Sequence, residues 1–541
     1  MNLVENRNYY VATRDAVLRE KAAGNSAAVN HLLFGDWMRY KGEKKNGWAR
    51  VRCRNCDGWL PISAIREDRI LEVNFIDIGQ GDGCHIVTPD DEVILIDAGE
   101  GTNMVRFLSW RYNLRGRRRP EDGGRAPFPL DHVFISHPDK DHYYGLLPVF
   151  EETRLKPLRV YHNGIAERPQ RDEDKDPDLQ YLSSEDLGGY LHVNGERYLW
   201  ELISSSSAMH ALINRFPGTN KLYLKTLRKA AENNPDVQFI RVAGKDGHIA
   251  GFEDDQNLTL KVLGPLTERH SKGNAHRDTL IKLGDEGVTK NGHSIILQLQ
   301  IGRLKVMLGG DLNTESEDYL FQHYGETDKI VSDLEAQRYA LLEKGSSATA
   351  DERQTLEELT LELETIITKA RRHFRADITK ACHHGSHHFS EAFLQAIDAI
   401  ASVISSGDDE NYSHPRPDAL GAFGKYSRGR RPLIFSTELA RNTREFTPVI
   451  EYIDTLRRFE AELAAATSAS ERRKIEKRMN EAKDRNVVVY GMITLRTDGE
   501  QVVIAQKLEV SGGNDNKWDI HELKHNDHTG GFEYQVKTGS H

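Results

Sequence analysis

Seven residues constrain this 541-residue chain more than any others: Ser136-His137-Pro138-Asp139-Lys140-Asp141-His142. They follow Val133-Phe134-Ile135, an apolar run of strand character, and precede Tyr143-Tyr144-Gly145-Leu146-Leu147. That order predicts a loop at the C-terminal edge of a buried strand, leading into a helix. Two imidazoles and two carboxylates within six positions can be aimed at one point only if that point carries positive charge. Without it Asp139 and Asp141 repel each other and Asp141 needs another partner. A metal ion removes both problems and supplies a mechanism. The plainer alternative is a polar surface loop that merely holds His and Asp, but matching pieces lie elsewhere in the chain.

The length exceeds one simple domain and allows a large core. Hydrophobic content of 38% and charged content of 29% fit a globular protein with charged, helical excursions. A net charge of −10 argues against coating of nucleic acid by the whole surface, but not against a local basic groove. No apolar run approaches the roughly 18–20 residues of a membrane span, so no membrane partner is expected. Met1 to Asn6 has neither a basic n-region nor an apolar h-region, so export by a signal peptide is not expected and a cytoplasmic location is. The four cysteines, Cys53, Cys56, Cys84 and Cys382, point to a reducing compartment without a disulfide framework. Cys53 and Cys56 have the spacing of half a zinc site, with no second pair to complete it.

Residues 8–66 are short alternating runs, with Asn46-Gly47 and Asp57-Gly58 each followed by Trp. Such turn dipeptides predict hairpins and a small β-barrel. Two strands follow, Leu71 to Ile78 and Val93 to Asp97, separated by Gly79-Gln80-Gly81-Asp82-Gly83. Asp97 ends a buried run and Asp82 lies in the glycine-rich loop; both are suited to fixing ligand imidazoles, or to stabilising turns. The arginines from Arg111 to Arg125 form either a solvated run or a phosphate-contacting loop. Farther on, Asn291-Gly292-His293-Ser294 opens a strand, and Arg303 to Leu308 ends in Gly309-Gly310-Asp311. Asp311 is a carboxylate that can bridge two cations, or cap the helix starting near Thr314. Leu356, Leu359, Leu363, Ile366, Ile367 and Ala370 recur at helical spacing within a hairpin over 315–374. A second helical pair covers about 447–484. Each is either an ordinary insertion or a means of homo-oligomerisation. Lys380-Ala381-Cys382 then leads into His383-His384-Gly385-Ser386, and Asn411-Tyr412-Ser413-His414-Pro415 lies beyond. Val487 to Leu495 and Gln501 to Ile504 read as a last hairpin, and the polar stretch from Ser511 as a mobile tail.

These blocks, in this order, resemble the metallo-β-lactamase fold, and within it the ComEC-type branch. The resemblance rests on Asp77 to Asp82, Leu95 to Gly99, Ser136 to His142, Asn291 to Ser294, Gly310-Asp311, Lys380 to Ser386 and Asn411 to Pro415. It implies an α/β, αββα sandwich with a two-metal site at one edge. Gly35-Asp36, Gly47-Trp48 and Gly58-Trp59 resemble bacterial SH3-like domains, which bind peptides, cell-wall fragments or neighbouring domains. The expected organisation is an SH3-like barrel over 1–68 and a metallo-β-lactamase-like domain over 69–510, followed by a flexible tail over 511–541. Insertions are expected in the large domain at about 151–250, 315–374 and 443–485. Carried over by position, the family's ligands become His137, Asp139, Asp141, His142 and Asp311, with His383 or His384 as the last histidine. His293 lies near the place of a middle histidine. Asp139 stands where many members have His, which makes the site richer in oxygen, so Mn²⁺ competes with Zn²⁺ for two divalent positions.

The function implied is a metal-dependent hydrolase, foremost a phosphodiesterase or nuclease acting on nucleic acid or a nucleotide. Asp141 would orient the nucleophile, while Lys380 and His414 would offset phosphate charge. The alternatives are hydrolysis of another ester, such as a phosphocholine or cell-wall bond, and a non-catalytic scaffold that keeps the fold. A protein partner at the SH3-like module and a role as an effector in bacterial defence complete the expectations.

Overall fold

A computed structural model of the chain describes residues 1–53, 56–169, 187–407, 414–429, 431–437, 449–485, 492–508 and 512–535. Seven strands from Asn8–Val11 to Ile65–Arg66 form one N-terminal sheet around its own core of Leu18, Met38, Val51 and Leu60. Its central hairpin turns at Asn46 and Gly47, with φ of 48° and 79°. Two positive φ values give a turn whose twist matches the flanking strands.

Ten strands form the next sheet, in the order Gln238–Arg241, Arg159–His162, His132–Phe134, Val93–Ile96, Cys84–Val87, Leu71–Phe75, Ile493–Thr497, Gln501–Lys507, Trp518–Asn526 and Gly531–Tyr534. A further sheet has six, in the order Leu258–Gly264, Ile296–Ile301, Leu304–Leu308, Ile378–Lys380, Ala401–Ile404 and Leu433–Ser436. Successive side chains point to opposite faces of a strand. Thus Ile94 enters a core shared with Leu297, Leu299, Val306 and Val403 of the six-stranded sheet. Its neighbours Val93 and Leu95 turn outward to Phe107 and Leu108 of the helix Asn103–Arg111, and to Leu224 of the helix Leu222–Asn233. On the six-stranded sheet Ile296 and Met307 turn outward to Phe321, Leu363 and Ile367 of the helices Thr314–Tyr324 and Ala350–Phe374. The result is a mixed α/β body in which the two sheets share one core and helices pack on each of them.

Strand direction decides where chemistry can gather. Val93–Ile96, His132–Phe134 and Arg159–His162 run parallel, as do Leu304–Leu308, Ile378–Lys380 and Ala401–Ile404. Parallel strands place all their C-terminal loops on one edge of the sheet. Those loops hold Asp97, Ser136 to His142, Asp311, His383 and His384.

Several expectations change. The stretch expected as a tail supplies the strands Trp518–Asn526 and Gly531–Tyr534, whose Ile520, Leu523 and Phe532 are buried. Polar composition concealed an edge hairpin whose apolar residues on one face suffice. The helices of 315–374 use their apolar stripe within the chain, as the outer cover of the six-stranded sheet. Over 151–250, the helix Leu222–Asn233 and the strand Gln238–Arg241 belong to that body itself. The helices Val449–Ala465 and Ala469–Arg485 pack on each other through Phe459, Ala466 and Ile475. Residues 411–413 and 487–490 lie outside the described residues, as does the charged stretch from 170 onward, up to 186. Among the described residues no helix is long and apolar enough to cross a membrane.

Candidate metal centre

At the loop edge, three imidazoles are fixed in one tautomer by their partners. Asp97 accepts from the Ser136 backbone N–H at 2.8 Å, from Ser136 Oγ at 2.6 Å and from His142 Nδ1 at 2.9 Å. With its proton given to Asp97, Ser136 Oγ can only accept from His137 Nδ1, 3.0 Å away. Ser294 Oγ gives its proton to the Asn291 carbonyl at 2.7 Å and lies 3.2 Å from His137 Nδ1. His384 Nδ1 points to the Ser405 carbonyl at 3.1 Å. In their neutral form all three rings therefore carry hydrogen on Nδ1 and turn a lone pair outward on Nε2.

Those lone pairs converge on Asp311. Asp311 Oδ2 lies 3.1 Å from His142 Nε2 and 3.0 Å from His384 Nε2. Yet the Nε2 atoms of His137, His142 and His384, together with Asp311 Oδ1, are buried without a well-formed hydrogen bond. Buried polar atoms left this way carry a desolvation penalty of about 1–3 kcal/mol each. Three overlapping groups bring ligand atoms within 4.8 Å of one another: His137, His142 and Asp311; Asp141, His142 and His384; Asp82, Asp311 and His384. A fourth, Asp82, Asp97 and His142, gathers at Nδ1 of His142, which Asp97 already engages.

Charge tells the same story. Asp82 pairs with Lys380, and Asp139 with Lys290. Asp141 and Asp311 have no Lys or Arg partner among the described residues. Burial pushes the Asp311 carboxyl up, but His142 and His384 outweigh it and hold it well below the carboxylate range. Conversely, burial pushes His142 down, while Asp311 and Asp97 hold it well above the usual imidazole value. Without a cation the acids thus keep a proton on His142. A divalent ion among the Nε2 atoms would replace that proton and neutralise Asp311 and Asp141 together. The donor set therefore fits a metal ion.

Backbone conformation aims these groups. Asp97, His383 and His384 sit at φ of 56°, 49° and 54°, a left-handed region that costs a non-glycine residue on the order of 1–2 kcal/mol. Gly81, at φ 101°, brings its loop so close that an added Cβ would lie 1.7 Å from the Asp141 carbonyl oxygen.

Other expected residues fall differently. Asp139 lines the pocket but joins none of the metal-capable groups. Burial raises its carboxyl, while His137 and Lys290 outweigh burial and hold it well below the usual range. Of the histidine pair, His384 enters the cluster, while His383 lines the pocket and burial pushes it down to about 4. His293 stands apart. Its Nε2 is 2.6 Å from the Ile281 carbonyl and must carry the hydrogen there, and burial pushes it down to about 4. Lys380 is also a correction. It is buried against Asp82, and Nζ donates to the Gly309 carbonyl at 3.0 Å, so it holds two loops together and is not among the pocket-lining residues. Burial pushes its ammonium down to about 7, whereas Asp82 in contact favours the charged form. Arg111 is likewise engaged, 2.8 Å from Glu72. His414 does reach the pocket, beside Arg416, which sequence reasoning passed over although it is two residues away.

The pocket has a volume of about 490 Å³ and is lined by Asp139, Asp141 and Asp311, and by Asn291, His388, His414 and Arg416 among others. That lies within the usual range for small-molecule sites.

Residues 84–191 match the family model of the Metallo-beta-lactamase superfamily. Its members are generally metal-dependent hydrolases, usually with zinc. The match covers four strands of the ten-stranded sheet, Cys84–Val87, Val93–Ile96, His132–Phe134 and Arg159–His162, the loop with His137, Asp141 and His142, and the helices Lys140–Tyr143 and Leu146–Glu151 that follow. No curated protein matches the chain significantly.

Proposed function

We propose that the chain is a metal-dependent phosphodiesterase, acting foremost as a nuclease. One observation carries the choice of substrate. The pocket combines Asp141 and Asp311 with His388, His414 and Arg416, so hydrogen-bond donors for an anion stand beside carboxylates suited to a cation. Bonds from those donors to an anionic phosphate are charge-assisted and stronger than any they make to a neutral ester.

His137, His142, His384 and Asp311 would hold the ion, with Asp141 and Asp82 completing a second position. Zn²⁺ and Mn²⁺ both suit this mixture of nitrogen and oxygen donors. Such ions supply Lewis-acid charge and a water of lowered pKa. The chain's own part is positional. Asp97 and Ser136 keep His142 and His137 oriented. Asp141, steadied by Gln80 Nε2 at 3.4 Å, orients the attacking water and accepts its proton. Arg416 and His414 bind the non-bridging phosphate oxygens. On the motifs noted in the sequence, we read the site as of the ComEC-type branch and the N-terminal sheet as an SH3-like module. The paired helices of 449–485 are available for assembly.

The test is turnover of bis-p-nitrophenyl phosphate, single- and double-stranded DNA and cyclic dinucleotides with Mn²⁺ or Zn²⁺. The reading fails if no phosphodiester is cleaved. Asp141→Ala is expected to lower kcat by roughly 10²–10⁴-fold while thermal unfolding stays unchanged.

A further inference from the structure

The outward face of the N-terminal sheet collects charge and aromatic surface that the metal centre does not use. Along Trp48–Cys53, Ala49, Val51 and Cys53 turn into the core and leave Trp48, Arg50 and Arg52 outside. Register then sets their neighbours. Arg52 stands opposite Arg39 on one adjoining strand and Asp57 on the other. Arg50 stands opposite Trp59, and Trp59 opposite Arg19. Trp37 shares the face of Arg39, whose guanidinium lies 5.7 Å from the indole ring. Three of the chain's six tryptophans, Trp37, Trp48 and Trp59, thus fall on one small face among arginines.

Intramolecular pairing satisfies only part of this charge. Arg50 bonds Glu43 at 2.7 Å. Arg39 and Arg52, both exposed, form no ion pair among the described residues. Like charges directly opposed across a sheet are destabilising, and a bound anion relieves them. This concentration stands out in a chain of net charge −10. The contacts that dock the sheet on the main body use Asn30, His31, Phe34, Asp36 and Arg66, none of them on this face.

We propose that this face binds single-stranded nucleic acid, its indoles stacking on bases and its guanidiniums pairing with phosphates. Guanidiniums alone would suit any polyanion. Interleaved indoles favour bases free to stack, which a duplex does not present. The position adds a constraint. Ile70, at the near end of the strand Leu71–Phe75, packs on Leu33 and Phe34 of the N-terminal sheet, while the far end leads to the loop of Asp82. Five residues span about 15 Å along that strand, so a ligand touching both face and pocket would have to be extended. The link to the pocket rests on the phosphodiesterase reading; the binding itself does not.

The test is fluorescence anisotropy of a labelled 30-nucleotide oligothymidylate with the full chain in EDTA, so that turnover cannot interfere. Tight binding at low salt is expected, weakening as salt rises. The triple variant Arg39→Ala/Arg50→Ala/Arg52→Ala is expected to bind at least tenfold more weakly, with a log–log salt slope shallower by about 2. Trp48→Ala and Trp59→Ala, checked for fold by circular dichroism, are expected to weaken binding without changing that slope. Turnover of bis-p-nitrophenyl phosphate by the triple variant should match the parent chain. An unaltered Kd in the triple variant overturns the proposal, as does polyglutamate competing as well as the oligonucleotide. Oligonucleotide binding by the parent chain without any turnover of the small ester would instead count against the phosphodiesterase reading alone.

Discussion

The two sheets contribute to the site in different ways. From the ten-stranded sheet, His137 and His142 are held by side chains: Asp97 and Ser136, with Ser294 reaching across. From the six-stranded sheet, His384 is held by the Ser405 carbonyl and by a left-handed backbone. The first arrangement is written in residue identities and can be dismantled by mutation. The second is written in chain path, and only the neighbouring strand's course supplies its acceptor. Asp311 joins them, with His142 of one half and His384 of the other within 3.1 Å.

The largest effect should come from the histidine pair. His384→Ala removes a converging lone pair and should abolish turnover and lower metal affinity at least 100-fold. His383→Ala, one residue away, should leave metal content unchanged by elemental analysis. Equal loss in both would show that the six-stranded half is not set by chain path as described. Gly81→Ala comes next. It forces backbone to move at Asp141, and a displacement near 1 Å can cost about 100-fold in rate; a kcat within threefold of the parent would show that loop to be slack. Asp97→Asn weakens the hold on His142 by side chains, so metal affinity should fall about 10–100-fold, read by competition with a chromogenic chelator. No such substitution exists for the Ser405 carbonyl, which is the difference between the halves.

The smallest effect lies in the helical cover of the six-stranded sheet. Glu335 accepts from the Ala392 N–H at 2.6 Å, yet burial pushes its carboxyl up to about 7 from an ordinary 4.5. A raised acid favours the protonated form in the folded state. Its favourable contribution is therefore complete below about pH 4.5 and lost as pH rises to 7. Glu335→Gln should stabilise the protein at pH 8 by on the order of 1–3 kcal/mol and leave pH 4 almost unchanged. Equal melting temperatures of parent and variant at pH 8 would refute it.

The loop of residues 136–142 was legible because four ligand-type side chains crowd a strand end, which local pattern alone reveals. Asp97 and Asp311 were legible for the same reason, each a carboxylate closing an apolar run. The choice between His383 and His384 was not, since adjacent residues differ only in the direction that left-handed backbone gives them. His293 misled because a histidine near a strand start looks the same whether it faces a pocket or a carbonyl such as that of Ile281. Lys380 misled because sequence cannot show that Asp82, 298 positions away, already occupies its ammonium.

By itself, then, the sequence determined which side chains can neutralise a cation and which runs are strands, because ligand chemistry and alternating hydrophobicity are local. The tertiary structure decided which of those side chains meet, that a polar C-terminal stretch completes a sheet, and that acids are divided between lysine-paired and unpaired. Each of these depends on distances between residues far apart in the chain, and packing of two sheets, not local preference, sets those distances.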